Sequence, residues 1–214
     1  MTLLLHGYWR SGTSYRTRIA LNLKGVDYAT APVNLRTKEH LSEAYRALNP
    51  QGLAPALEVD SVVLTQSPAI LEWLEERYPE PPLLPSGVTD RAIVRAMAAL
   101  VCCDIHPLNN LRVLDQITQQ FDADADATRV WTSRWITSGF AALETMIARY
   151  GGAFAFGDRP TLADCCLAPQ VYSAQRFDVD LEPYPRIRAA TDALTALPAV
   201  QLAHPDCQPD APAP

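Results

Sequence analysis

The sequence predicts a two-domain chain, a small α/β sandwich followed by an all-α domain. Three observations carry this. Strand and helix signals alternate as β-α-β-α-β-β-α through residues 1–80. A proline-dense stretch, Pro79-Glu80-Pro81-Pro82-Leu83-Leu84-Pro85, follows and reads as a stiff linker. Beyond it strand signals stop and only helical periodicity remains. The expected boundaries are 1–80 for the α/β domain, 81–87 for the linker, 88–204 for the helical domain and 205–214 for a poorly ordered Pro/Asp/Ala tail.

Leu3 to Tyr8 reads as the first strand, and a helix from about Ser14 to Lys24 is closed by Gly25. Val26 to Val33 alternates raggedly and reads as a second strand. A short helix near His40–Leu48 ends in the turn signal Asn49-Pro50-Gln51-Gly52. Pro55–Val59 and Val62–Leu64 flank Asp60-Ser61 as a hairpin. Ser67 reads as an N-cap with Pro68 at the first helical position, and the helix turns Ile70, Leu71 and Leu74 inward.

In the second half, Thr89 is expected to cap a long helix bearing Ile93, Met97, Leu100, Val101, Ile105 and Leu108, with a kink expected at Pro107. Asp104 falls on its apolar stripe. Asp122–Asp126 is acidic and turn-like. Trp131, Trp135, Leu143 and Ile147 mark a second long helix that ends at Gly151-Gly152. Thr161 and Asp164 have the spacing of a reciprocal cap at the start of another helix, a structural feature without chemistry. Helices are expected after Pro185 and Pro198.

Composition narrows the function classes. The chain has 214 residues, 48% of them hydrophobic, and a net charge of -6, so nucleic acid is not the expected main partner. No apolar run approaches the roughly 20 residues of a membrane span. The start, Met1-Thr2-Leu3-Leu4-Leu5-His6, lacks the basic region of a signal peptide, and a cytoplasmic location is expected. Four of the five cysteines lie in adjacent pairs, Cys102-Cys103 and Cys165-Cys166, with Cys207 apart. That suits a reducing compartment better than a disulfide framework. Adjacent helical cysteines diverge by about 100°, so Cys102, Cys103 and His106 are read as packing residues and no metal site is expected.

The chemistry-bearing stretch is Trp9-Arg10-Ser11-Gly12-Thr13-Ser14-Tyr15-Arg16-Thr17-Arg18-Ile19. A helix start carries partial positive charge and unpaired N–H groups, so it favours an anion. Hydroxyls at Ser11, Thr13 and Ser14 stand where they can add hydrogen bonds to that anion. The alternative is a helix whose hydroxyls cap only its own backbone.

Arg10 to Leu21 resembles the zeta-class signature of glutathione transferases, a serine/cysteine-rich turn followed by an aromatic residue and R-x-R-I-A-L. Asn49-Pro50 with Ala54-Pro55 is similar to the segment carrying that fold's cis-proline. Gln66-Ser67-Pro68-Ala69-Ile70 resembles its Q-S-x-A-I segment, and Asp104-Ile105-His106-Pro107-Leu108-Asn109-Asn110 the zeta-class helix facing the active site. The resemblance covers all but the tail. It implies a thioredoxin-like N-terminal domain plus an all-α C-terminal domain, glutathione as cofactor, and a homodimer. Within the class the Ser-Gly-Thr turn looks most like the maleylpyruvate isomerases, close relatives of maleylacetoacetate isomerase. Many members have a cysteine where this chain has Thr13, so chemistry through a protein thiol is not expected. Leu111 replaces one of two adjacent arginines found in the maleylpyruvate isomerase pattern, which leaves the exact substrate open.

The resemblance implies isomerisation of a maleyl to a fumaryl double bond, in which a thiolate adds, the bond rotates and the thiolate leaves. A free thiol with a pKa of about 8.5 is mostly protonated at neutral pH. Hydroxyl donors and a helix start favour its charged form. Thr13 is assigned that task, with Ser11 as a second donor. Which of the two touches the sulfur is left open. Arginine pairs bidentately with carboxylates, and the resemblance points to Arg10, Arg112 and Arg176 for the substrate. Gln66 and Ser67 are expected to grip the γ-glutamyl end of glutathione, Ala54 to offer its backbone to the cysteinyl unit, and His40 and Gln51 to reach the glycyl end. Asp104 is expected to meet glutathione of the other subunit. His106 and Asn110, four apart on one helical face, border the site, or else are a packing histidine and a capping asparagine. The competing activities are conjugation of electrophiles and a non-catalytic interaction module.

Overall fold

The computed structural model describes residues 2–212, which divide into two units. The first gathers the residues up to Leu83 together with those from Thr195 onward, and the second runs from Leu84 to Leu194.

The first unit is built on a four-stranded mixed sheet in the order β2-β1-β3-β4, from β1 (Leu3–Gly7), β2 (Ala29–Pro32), β3 (Ala56–Val59) and β4 (Val62–Thr65). β1 runs parallel to β2 and antiparallel to β3, with Leu5 opposite both Thr30 and Leu57. The parallel pair needs a crossover, which α1 (Gly12–Leu23) supplies. α2 (Glu43–Leu48) and α3 (Ser67–Arg77) complete the expected alternation. Ile19, Leu21, Ala56, Leu57, Ile70 and Leu74 are fully buried between sheet and helices. β2 is shorter than expected, because its neighbours Val26 to Tyr28 make no ladder. The cap of α3 is Gln66 rather than Ser67, so Pro68 occupies the second helical position.

A buried ion pair closes this sandwich. Lys24, just past α1, donates to Glu75 of α3 and to the Pro81 carbonyl (2.8 Å), and Glu75 also accepts from Leu83 N–H (2.9 Å). One pair therefore ties two helices to the opening of the proline-rich linker.

The C-terminal segment corrects the expected boundaries. α9 (Pro198–Ala203) packs on α1, with Val200 and Ala203 fully buried, and Asn22 donates to Ala199 O (2.8 Å). The tail expected to be disordered from 205 is ordered through 212. A 3-10 turn over Pro205–Cys207 follows α9, and the Gln208 amide donates to the Leu202 and His204 carbonyls (3.0 and 2.9 Å). Pro/Asp/Ala composition signals poor core-forming ability, yet this segment finds partners in the first unit: Pro205 is buried and Asp210 accepts from Trp9 N–H (2.9 Å). Positions 213 and 214 of that tail lie outside the described residues.

The second unit is helical: α4 (Val88–Ala99), α5 (Leu111–Phe121), α6 (Ala125–Tyr150), α7 (Leu162–Arg176) and α8 (Pro185–Thr195). The long helix expected from Thr89 breaks before Pro107. A wide π-type turn over Leu100–Ile105 and a 3-10 turn over His106–Asn109 separate α4 from α5. Pro107 lacks an N–H, so one carbonyl a turn earlier loses its regular helical partner and the helix widens upstream. This moves Asp104 off the expected stripe. Val101 and Ile105 are buried, while Asp104 is exposed. The predicted cap at α7 is present, with Asp164 accepting from Thr161 N–H (2.8 Å), Thr161 Oγ1 (2.9 Å) and Ala155 N–H (2.7 Å).

Candidate functional site

The turn between β1 and α1 is set from its own backbone outward. Ser11 N–H donates to Tyr8 O (3.0 Å), closing a β-turn with Trp9 and Arg10 at its tip. Ser11 caps α1 and accepts from Ser14 N–H (3.3 Å). Ser14 is fully buried, and its hydroxyl accepts from Tyr8 N–H (3.3 Å). Of the three hydroxyls that the sequence offered, Ser14 is therefore committed to the fold. Ser11 caps the helix, and its hydroxyl also lies within hydrogen-bond distance of the Thr13 hydroxyl.

Thr13 Oγ1 donates to Ala54 O (2.8 Å) and lies 2.8 Å from Ser11 Oγ. Thr13 has one hydroxyl proton, and that proton points at Ala54, so Ser11 is the donor in the second bond. The result is a directed relay, Ser11 O–H to Thr13 O–H to the Ala54 carbonyl. Ala54 precedes the cis bond to Pro55, as the resemblance implied. Its position is fixed from behind, where Tyr45 Oη and Asn49 Nδ2 both donate to Leu53 O (2.9 and 2.6 Å). Burial pushes the Tyr45 phenol up to about 12, so it stays a donor.

A second pair of predicted residues meets at the start of α3. Gln66 Nε2 donates to Gln51 Oε1. Gln66 holds φ at 65°, a left-handed value unusual for a side-chain-bearing residue and frequent at ligand clamps. No side chain caps α3, and Ser67, its first residue, is buried, so the helix start retains N–H groups suited to an anion. His40 sits in a 3-10 turn beneath the same loop. A Cβ on Gly52 would stand 3.0 Å from His40 O, and Gly52 itself has φ +63°, so glycine lets these two loops touch. Burial, then the charges of Arg46 and Lys38, lower the His40 pKa and leave it neutral at pH 7. Its Nδ1 is buried without a partner.

Arg10 stands at the tip of the turn with its guanidinium over the Trp9 ring, 5.4 Å from the centroid. The remaining predicted residues belong to the second unit. His106 opens the 3-10 turn and Asn110 is the extended cap of α5, so they do not share a helical face as expected. Asn110 Oδ1 accepts from Arg112 N–H (3.2 Å), the capping alternative. Arg112 is exposed in the first turn of α5. Arg176 ends α7 and lines a cavity of about 340 Å³ with Thr118, Asp124, Arg129, Phe177 and Asp178, whose walls do not include Arg112. Sequence reasoning did not find the strain at Gln66. Among the described residues, no three His, Cys, Asp or Glu side chains gather as a metal site.

These features fit a γ-glutamyl tripeptide thiol. The open start of α3 suits a carboxylate, the strand before Pro55 offers a backbone partner, and the unpartnered His40 nitrogen suits a further polar group.

Comparison with known proteins gives the same answer. Residues 10–77 match the glutathione S-transferase N-terminal domain and residues 113–193 the C-terminal domain. A maleylpyruvate isomerase from Ralstonia is 55% identical, over 96% of this chain and 98% of its own. A maleylacetoacetate isomerase from Pseudomonas aeruginosa is 53% identical, over 98% and 99%. The holo structure of a zeta-class maleylpyruvate isomerase superposes with a TM-score of 0.96 at 54% identity, covering 98% of this chain and all of the other. A maleylacetoacetate isomerase from Anaeromyxobacter dehalogenans with bound glutathione superposes at 0.90 with 46% identity, over 99% and 98%. The chain belongs to the glutathione transferase family, in the zeta-class branch of maleylpyruvate and maleylacetoacetate isomerases.

Proposed function

We propose that this protein is a glutathione-dependent cis–trans isomerase of a maleyl keto acid, maleylpyruvate or maleylacetoacetate. The observation that carries the reading is the relay from Ser11 through Thr13 to Ala54 at the start of α1. When bound, glutathione supplies a thiolate that adds to the conjugated double bond and leaves after rotation. The residues of the chain hold that sulfur ionised and the substrate in place.

Thr13 is the switchable donor. The backbone of Ala54 would partner the cysteinyl unit, and the Thr13 hydroxyl, which can rotate, would turn its proton from the Ala54 carbonyl toward the sulfur. Ser11 stays donated to Thr13 and sharpens that bond, since hydrogen bonds in a chain polarise one another. A hydrogen bond to a charged group is worth about 1.5–3 kcal/mol, which is about one to two pKa units on the thiol. Gln66 with Gln51, and the start of α3, hold the γ-glutamyl end, with His40 a neutral donor at the glycyl end. Arg10, Arg112 and Arg176 are assigned the substrate carboxylates and the charge that develops during addition.

Asp104, exposed on the wide turn, is assigned to the neighbouring subunit's glutathione, which goes with a homodimer. A cytoplasmic location goes with the same reading, and no helix of the described residues is long and apolar enough to cross a membrane.

The test is to add catalytic glutathione and protein to each maleyl substrate. The expected result is conversion of the ultraviolet spectrum to the fumaryl isomer with glutathione undiminished by thiol titration. Stoichiometric loss of glutathione would instead identify a conjugating transferase. No change with either substrate overturns the proposal.

A further inference from the structure

Trp9 sits at the tip of the β-turn that carries Arg10 and Ser11. Residues at a turn tip ordinarily leave their N–H and C=O to water. In Trp9 both are taken by protein. Its N–H donates to Asp210 Oδ2 (2.9 Å), 201 positions away in the sequence. Its carbonyl accepts from Arg18 Nη2 (2.9 Å). Arg18 is only 3% exposed, and its Nε donates to Ala203 O at the end of α9 (3.0 Å). The guanidinium thus bridges two carbonyls, one in the turn and one in the C-terminal segment.

The strap that delivers Asp210 is itself organised. His204 packs edge-on against Tyr15 of α1, with ring centroids 5.9 Å apart, and accepts from Asp206 N–H (3.3 Å). Gln208, Pro209 and Asp210 then line a small cleft with Gly7, Arg18 and Pro32, at the end of β1. The other residues of the turn are fixed from inside, Tyr8 and Ser11 through Ser14 and each other. The tip's backbone groups are held from this outer side by Asp210 and Arg18, while the Trp9 ring packs against the Tyr8 ring, with centroids 5.8 Å apart.

We infer that Asp210 is a positioning residue for the thiolate site, acting through Trp9 on Arg10 and Ser11. This rests on the reading that Ser11 and Thr13 hold the glutathione sulfur. Without the Asp210 carboxylate, the Trp9 N–H loses its partner, and the tip keeps only the Arg18 bond to its carbonyl and the packing of the Trp9 ring on Tyr8. Ser11 Oγ then drifts from Thr13, and Arg10 from its own place. A misplacement of about 1 Å at a catalytic group costs on the order of 100-fold in rate, and a loosened tip is expected to cost about a tenth of that.

The experiment compares Asp210→Ala, Asp210→Asn and Thr13→Ala in the full-length chain. Three quantities are read: kcat, the pH titration of bound glutathione by thiolate absorbance, and exchange of the Trp9 amide in protein without glutathione. Asp210→Ala is expected to lower kcat about tenfold, raise the thiol titration midpoint and speed Trp9 exchange, with the glutathione dissociation constant changed less than twofold. Asp210→Asn keeps an acceptor for Trp9 N–H and is expected to recover most of the loss. If Asp210→Ala leaves both kcat and the titration midpoint unchanged while Thr13→Ala moves them, the strap has no positioning role and the inference is overturned. If Thr13→Ala also moves neither, the sulfur site itself has been misassigned and both readings fall.

Discussion

Thr13 shows what a motif reveals and what it hides. Three hydroxyls beside a helix start are visible in Ser11-Gly12-Thr13-Ser14, and the anion-binding tendency follows from elementary electrostatics. How the three divide is not visible, because spacing gives proximity and not which oxygen the backbone has already claimed. The fold commits Ser14 to Tyr8 and shares Ser11 between cap and relay, and on the proposed reading this leaves the donor task to Thr13. Thr13→Ala is therefore expected to raise the bound thiol pKa by about one to two units and to lower the rate at pH 7 by about 10- to 100-fold. Thr13→Ser keeps a hydroxyl and should retain most activity, whereas Thr13→Val keeps the shape and should behave like alanine. A pH–rate profile of Thr13→Ala that overlays the parent would exclude this role. Gln66 is a different case. Its partner Gln51 lies fifteen positions away and its φ is positive, so its use is legible only through the resemblance. Removal of its amide in Gln66→Ala should raise the glutathione KM about tenfold while leaving kcat largely intact, the pattern of lost uniform binding.

At the scale of elements, the cap of α7 was legible, whereas the cap of α3 falls on Gln66 instead of Ser67, that of α4 on Gly87 instead of Thr89, and the position of the helix break was not legible. Thr161 and Asp164 declare a cap by spacing alone, and the structure supplies its three hydrogen bonds. Pro107 declares that a helix must change, but not where the extra residue goes. The widening falls at Leu100–Ile105, which is why Asp104 was placed on the wrong face. Burial of the Asp164 cap has a thermodynamic consequence. Desolvation raises its pKa from 3.8 to about 6, against the opposing hydrogen bonds from Ala155 and Thr161. The folded chain therefore binds this proton more tightly than the unfolded one between pH 3.8 and 6. Stability from this group is fully present below pH 3.8 and is lost as pH rises through about 6, by an amount on the order of 3 kcal/mol. Asp164→Asn removes that titration. The stability of the parent relative to Asp164→Asn should accordingly fall between pH 4 and pH 7, measured by denaturant unfolding at each pH. A difference independent of pH would show that folding does not raise the Asp164 pKa. Lys24 and Glu75 form the other buried element-to-element joint. Lys24→Met takes the cation away from the buried Glu75 carboxyl, with an expected cost of about 3–5 kcal/mol.

At the scale of the molecule, the sequence conveyed two domains and their order, but not that the last residues return to the first. Local patterns report local structure, and nothing in a Pro/Asp/Ala stretch names a distant partner. The return is nonetheless a substantial part of the first unit's stability. Val200 is fully buried against α1, worth about 2 kcal/mol. Asn22 bonds Ala199 and Arg18 bonds Ala203, together worth about 2 kcal/mol more. About 4 kcal/mol is a large share of the 5–15 kcal/mol that holds a typical domain folded. A chain ended at residue 194 should therefore keep the sheet order but open more readily. Amides of β1, β3 and α1 would exchange about a thousandfold faster by native-state hydrogen exchange, since each 1.4 kcal/mol is a factor of ten. The same truncation uncovers the buried Arg18 and cuts the tether on Trp9, so the amides between Gly7 and Ser11 should lose protection first. If those amides kept their protection while α9 and everything after it were gone, the C-terminal segment would be an ornament on α1 rather than part of the unit that holds the site.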